Sequence, residues 1–465
     1  MKTTRLAAPL ALASAVAAAF LFQSETASQT FSSFNARDPG VRFGPADAGE
    51  SIAGLSANEL RFFELGKEDF EEVEDVADGL GPRMNLAGCG TCHSQPATGG
   101  TSPFVNPQVA FAEEATPSQL PAVAAFIREN GPVREVRLVR NPDGTPDGGV
   151  TNTFTITGRE GADGCNLVQH DFNREIANRN ISFRIPTPVF GAGLIEQIPD
   201  ATILANQAAN ASQKSSLGIR GKPNISVSGR TISGVTNRNG NDGTITRFGW
   251  KAQNVSLLLF SGEAYNVEMG ITSELFQNER EQDPACQFAT VPNDTQDFAN
   301  ADPVKLTSSP IAIQNFANFQ RFLAPPTPSS DTPGGATSIA RGKSQFVSVG
   351  CALCHTPTLK TGNSTVAALR NKDVNLFSDL LVHDMGVGLA DGVSQGQAGP
   401  REFRTSPLWG LGKRIFFLHD GRTSDLEVAI QAHRSDGSEA NAVVRNFNNL
   451  RESQKQDLLN FLRSL

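Results

Sequence analysis

Readily oxidised aromatic rings are nearly missing from this chain: one Tyr and two Trp stand against 30 Phe in 465 residues. Phe fills a core as Tyr and Trp do, so the shortage does not hinder packing; it removes side chains that give up an electron. Sulfur and imidazole are also scarce, with six Cys, four Met and six His, so any cluster of them carries information. No basic tract appears and the formal net charge is −8, which argues against nucleic acid as a partner, because phosphate backbones are held by concentrated Lys and Arg. After Phe22 no apolar run is long enough to span a bilayer. Hydrophobic and charged contents of 38% and 19% are ordinary for a globular protein, and the length allows two or three domains.

What is present begins with a leader. Lys2 and Arg5 precede an apolar run from Leu6 to Phe22, and small residues surround Thr26 to Ser28, the pattern of a secretory signal peptide over residues 1–28. An uncleaved anchor is the alternative for a run of this length. The expectation is a mature chain with no membrane span, placed outside the cytoplasm and most simply in a bacterial periplasm.

Four of the six Cys fall into two C-x-x-C-H motifs, Cys89-Gly-Thr-Cys92-His93 and Cys351-Ala-Leu-Cys354-His355. Two thiols three positions apart on a helical turn can form thioethers with the two vinyl groups of one haem, and the adjacent His then reaches the iron. A redox dithiol would not need the His, and a zinc site would want more ligands nearby. The expected cofactors are two covalently bound haem c groups, with His93 and His355 as proximal iron ligands. Cys165 and Cys286 are left over; in an oxidising compartment they pair as a disulfide, or one of them is a catalytic thiol.

The stretch 324–335 carries Pro325, Pro326, Pro328 and Pro333 among small polar residues and reads as a linker. It separates an N-terminal part, 46–323, from a C-terminal part, 336–465, each with one haem motif. The parts look like distant copies. Gly66-Lys67 with Phe70 precedes the first motif and Gly342-Lys343 with Phe346 the second, while Phe183-Arg184 leading to Pro188-Val189-Phe190-Gly191 answers Phe403-Arg404 leading to Pro407-Leu408-Trp409-Gly410. Hairpin signals interrupt the first part: Val136 to Val139 against Thr153 to Ile156, and Thr231 to Val235 against Thr244 to Thr246. The predicted fold is mainly α, two cytochrome c-like domains with the N-terminal one enlarged by β-hairpin insertions.

The segments Phe403 to Gly412, Phe417-Leu-His-Asp-Gly-Arg422 and Leu426 to His433 resemble the C-terminal signature of the di-haem oxidoreductase family, which is similar in turn to bacterial di-haem cytochrome c peroxidases and to the di-haem enzyme that matures methylamine dehydrogenase. The resemblance runs from about Leu60 to the C-terminus. It implies that His433, fourteen positions after His419, is the distal ligand of the C-terminal haem, giving a low-potential bis-His iron suited to electron transfer; otherwise His433 is a solvated His near a helix end. Met385, in His383-Asp384-Met385-Gly386, is the runner-up ligand. His419-Asp420 is expected to orient the pocket through hydrogen bonds rather than to bind iron. The resemblance also implies a calcium ion between the domains.

Asn266-Val-Glu268-Met-Gly270 resembles the peroxidase segment in which a Glu lies over the open face of the reactive haem, making Glu268 the catalytic general acid/base, or else an exposed loop Glu. Two departures stand out. Leu258 occupies the place of a Gln ten residues before the Glu, and 94–112 contains no His, so the N-terminal haem is expected to be open at rest. Trp250 and Tyr265 lie near Glu268 in sequence and are candidates to relay charge, with Phe elsewhere limiting stray oxidation. Arg184, Lys251, Arg404 and Arg422 are candidates to pair haem propionates, since buried carboxylates need charged partners. The expected activity is a peroxidase-type oxidoreductase taking peroxide or O2 as small-molecule oxidant and a small redox protein as electron donor. Oxygenase or protein-modifying oxidase chemistry at the same haem, and a pure electron carrier, are the rival readings.

Overall fold

The computed structural model describes residues 35–465 apart from 83, 85, 111–126, 146–149, 152–159, 168–170, 226–230, 233–234, 237–244, 282 and 296–310. The expected leader and His170 lie outside the described residues. The helices are α1 (Ala57–Glu71), α2 (Cys89–Cys92), α3 (Phe172–Ala177), α4 (Ala192–Glu196), α5 (Asp200–Ala208), α6 (Ala211–Leu217), α7 (Leu257–Met269), α8 (Ala312–Phe322), α9 (Gly335–Val349), α10 (Leu426–Ala432), α11 (Asn441–Asn448) and α12 (Glu452–Ser464). Strands are short, so the chain is mainly helical, as expected. No helix among the described residues is long and apolar enough to cross a membrane.

Two helix pairs organise the haem motifs. Ser56 caps α1, its side chain accepting from the Glu59 N–H while the Glu59 carboxylate accepts from the Ser56 N–H. The buried positions Phe63, Gly66 and Phe70 then form one helical face, which packs on α8. Gly66 is the crossing point: a Cβ there would run into the Asn315 carbonyl and sit 3.0 Å from the Phe319 Cβ. The second pair repeats this. Phe346 and Gly342 of α9 face α12, where a Cβ on Gly342 would strike the Asp457 carbonyl and come within 2.6 Å of the Phe461 Cβ. In both pairs the Phe four residues on packs its ring near the motif His, Phe70 at 5.9 Å from His93 and Phe346 at 6.4 Å from His355. The Gly and Phe shared between the two halves thus serve the same contact twice.

The hairpin expectations are met in part. β1 (Glu135–Leu138) pairs antiparallel with β2 (Val150–Thr151), Val136 opposite Thr151, and with β3 (Ile181–Arg184), Val136 opposite Phe183; the proposed strand Thr153 to Ile156 lies outside the described residues. The second hairpin is corrected. β5 (Thr231–Ile232) turns back on β6 (Val235–Thr236), and β7 (Ile245–Thr246) pairs instead with β4 (Asn224–Ile225). A two-residue strand has too little local preference to choose its partner, so tertiary packing decides. β8 (Leu359–Lys360) pairs with β9 (Asp373–Val374), and β10 (Val382–Asp384) with β11 (Glu402–Arg404).

Residues 36–465 form one contact unit. An apolar cluster joins Ile195, Ile198, Ile203 and Leu257 to Leu369, Leu376 and Leu380 across the proline-rich stretch. Cys165 and Cys286 are joined as a disulfide, buried with Val76 and Ala162.

Candidate functional site

Each C-x-x-C-H motif opens onto its own large cavity. The first, of about 180 Å³ and open to solvent, is lined by Cys89, Cys92 and His93 from α2 and its C-terminal end, by Phe70, by Arg184 at the end of β3, and by Tyr265, Glu268 and Met269 from α7. The second, of about 220 Å³ and likewise open to solvent, is lined by Cys351, Cys354, His355, Met385, Arg404, His419 and His433.

The imidazoles are set for coordination. Nδ1 of His93 lies 2.9 Å from the Gly100 carbonyl, Nδ1 of His355 3.0 Å from the Phe377 carbonyl, and Nδ1 of His433 2.8 Å from the Ala429 carbonyl. A carbonyl only accepts, so each Nδ1 carries the hydrogen and each Nε2 keeps its lone pair. Burial pushes His93 and His355 down to about 4, the latter helped by the neighbouring His433, and lowers His433 as well. Neutral rings with a free Nε2 are what a metal ligand must be. Burial pushes the Cys92 and Cys351 thiols up to about 12, so these are not the activated thiols of a redox dithiol.

The faces opposite the motif His differ. In the second cavity His433, at the C-terminal end of α10, supplies another imidazole, with Met385 lining the same space. The first has no second imidazole among the described residues, and its acidic lining includes Glu268. Glu268, in the last turn of α7, lines the cavity and its side chain is exposed to the solvent that fills it; withdrawal from bulk water, then Glu135 and Glu263, push it up to about 8. Leu258 lies at the other end of α7 and packs into the core rather than into the cavity. Tyr265 donates its hydroxyl to Glu74 at 2.7 Å.

Trp250 lines both cavities. It is buried, its indole N–H donating to the Ile185 carbonyl at 3.0 Å, and its ring meets His419 edge-on at 6.4 Å. His419 stacks on Phe403 at 4.4 Å, and burial lowers it to about 4. The expectation of a hydrogen-bonded His419 is therefore corrected: the ring is fixed by stacking.

Two of the four candidate propionate partners are placed elsewhere. Lys251 lines neither cavity among the described residues; its ammonium is buried and donates to Asp391 at 2.9 Å and to the Gly399 and Glu402 carbonyls at 3.0 and 2.9 Å, which uses all three hydrogens. Arg422 also lines neither, being held by Asp420 and the Gly388 carbonyl. Arg184 and Arg404 do line cavities, and in each the Nε has no partner. Sequence reasoning missed Arg414, a second guanidinium at the second cavity, because an isolated Arg in a loop carries no pattern.

It also missed the clamp on His383, whose Nδ1 lies 2.8 Å from Glu439 and Nε2 3.0 Å from Asp379. Burial opposes charging, but the Cys354 sulfur and the Asp379 carboxylate hold this ring well above the ordinary His range. With both nitrogens protonated, the cluster of Cys354, Asp379 and His383 has no imidazole lone pair to offer a cation.

The donor sets fit haem: two Cys sulfurs and a motif imidazole with a free Nε2 in each cavity, mostly apolar walls, and guanidinium Nε atoms without a partner among the described residues, suited to carboxylates. Comparisons with known proteins agree. No curated protein matches this chain. A solved structure, "Kuenenia stuttgartiensis Hydrazine Synthase Pressurized with 20 bar Xenon", is similar at 18% identity over 35% of this chain and 59% of that one, with a TM-score of 0.23; the match thus spans less than two thirds of that structure's chain and carries no argument. Each C-x-x-C-H motif has its own cavity, and residues 150–465, more than half of the chain, match the family described as "Di-haem oxidoreductase, putative peroxidase"; the chain belongs to the di-haem oxidoreductase family.

Proposed function

We propose that this protein is an exported, periplasmic di-haem c-type oxidoreductase of peroxidase type, in which hydrogen peroxide is reduced in the cavity beside His93 and Glu268 while electrons from a small redox protein enter through the centre beside His355 and His433. The observation that carries the reading is the inequality of two otherwise matched cavities. Each presents two Cys sulfurs and the imidazole of its motif, but the second adds His433 with its free Nε2, beside His419, the clamped His383 and Glu439, whereas the first has no further imidazole among the described residues and adds the carboxylates Glu135, Glu263 and Glu268.

In this reading Cys89 and Cys92 would hold one porphyrin and Cys351 and Cys354 the other through thioethers, with His93 available to the first iron and His355 and His433 to the second. Haem iron supplies the redox couple and, where its sixth position is open, a place for the oxidant. Glu268 supplies the proton inventory. With its pKa raised to about 8 it holds a proton at neutral pH and accepts one increasingly as pH rises, so one carboxyl can serve as donor and acceptor on the cavity side. Trp250, buried between the cavities, offers one of the three readily oxidised rings of the chain as a relay.

One observation favours an electron carrier instead: the thioether sulfur of Met84 lines the same cavity as His93, and a sulfur there would close the open position. Intact mass and rapid mixing with peroxide separate the readings. Two added porphyrins and a prompt spectral change that slows in Glu268→Gln support the enzyme. A mass without porphyrin, or two centres indifferent to peroxide, contradicts it.

A further inference from the structure

Arg404 is buried and Arg414 is half-buried, and neither guanidinium has a carboxylate partner among the described residues. Arg404 is 6% exposed; it donates from one terminal nitrogen to the Arg247 carbonyl at 3.0 Å, and its Nε is unpartnered. Burial pushes each down to about 10, and the charge of Arg414 adds to the effect on Arg404. Two like charges drawn together away from most of their solvent cost free energy unless an anion lies between them.

Their position says where that anion comes from. Both line the second large cavity and also a small cavity of about 20 Å³, whose other walls include Thr187, Val189, Gly249 and Phe260. Those four residues also line the first large cavity. The small cavity is therefore a junction between the two, with the two cations on it. The backbone N–H of Arg404 donates to the carbonyl of Trp250, the residue that lines both large cavities.

We propose that Arg404 and Arg414 form a single carboxylate-binding site shared by the two haem cavities, taking a propionate from each side. The inference rests on the di-haem reading above. Planar guanidinium groups suit carboxylates through paired hydrogen bonds, and a site shared by two cofactors couples them reciprocally, so that a change of charge at the junction is felt at both. A free small carboxylate is the other source of the same chemistry.

The test is a spectroelectrochemical titration of haem-loaded protein, comparing wild type with Arg404→Gln, Arg414→Gln, Arg404→Lys and Arg414→Lys. Arg422→Gln, whose guanidinium is already occupied by Asp420, is the control. A cation favours the reduced, less positive iron. Each Gln variant is therefore expected to lower both midpoint potentials, each Lys variant to recover part of the loss, and the control to move neither. A shift confined to the C-terminal centre, or absent from both, overturns the shared site. Acetate added to wild-type holoprotein decides independently, should a Gln variant fail to fold: unchanged spectra at both haems are expected when propionates fill the site, and a saturable response shows a site open to free carboxylate and overturns the proposal. A wild-type mass without porphyrin overturns the di-haem reading as well, whereas two porphyrins with unmoved potentials overturn the shared site alone.

Discussion

At the scale of single residues, position matters less than what each polar atom is left to do. The three cavity imidazoles point a lone pair inward because a backbone carbonyl holds the opposite nitrogen, whereas His383, with a carboxylate on each nitrogen, has nothing left to give. Glu268→Gln keeps the shape and removes the proton; peroxide turnover should fall by about 10² to 10⁴-fold with haem content unchanged, and steady-state kinetics beside absorption spectra of the variant check this. Glu74 allows a pH test. Burial raises it to about 7, against the Tyr265 hydrogen bond, from 4.5. The folded protein keeps this proton where the unfolded chain has lost it, so stability should decline as pH climbs from about 4.5 to 7, by at most about 3 kcal/mol. In Glu74→Gln that decline should flatten in denaturant titrations across the window; an unchanged slope would count against the assignment. The C-x-x-C-H motifs were legible in sequence because their chemistry lies within five residues. The roles of Arg414, Asp379 and Glu439 were not, because each partner is distant in the chain.

At the scale of elements, the two helix pairs explain why the same short pattern recurs before each haem motif. Gly66 and Gly342 let two helix backbones touch, and Phe70 and Phe346 use that closeness to reach the motif His. A Cβ at either Gly meets backbone, which cannot move aside as a side chain can; Gly66→Ala and Gly342→Ala should each cost about 1 to 3 kcal/mol by thermal or denaturant unfolding. The strap at residues 36–44 adds a second kind of staple. Asp38 accepts from Arg463 at 2.7 and 2.6 Å, and Arg463 is fully buried on α12. Arg463→Ala leaves the Asp38 carboxylate without its partner and should cost about 3 to 5 kcal/mol; a loss under 1 kcal/mol would show the strap to be ornamental. The repeated Gly-Lys and Phe pattern before each motif could be read in advance, since it lies within five residues of sequence, but that each Gly is a helix crossing could not, since the backbone it touches is distant in the chain. The pairing of β4 with β7 could not, since Asn224–Ile225 and Ile245–Thr246 acquire strand geometry only from what packs around them.

At the scale of the molecule, one apolar cluster spans the proline-rich stretch, a buried Trp touches both cavities, and Lys251, Asp391 and Arg184 form a dry charged network beside it, with Arg184 donating to Asp391 at 3.0 Å. The halves are thus built to hold two cofactors in fixed relation while giving them unlike surroundings. That unlikeness is the central claim, and an electron paramagnetic resonance spectrum of the ferric holoprotein, wild type beside His433→Ala, tests it most directly. The account predicts one high-spin and one low-spin centre in wild type, with the low-spin signal lost in the variant; two low-spin centres in wild type, or a low-spin signal that survives removal of His433, would contradict it.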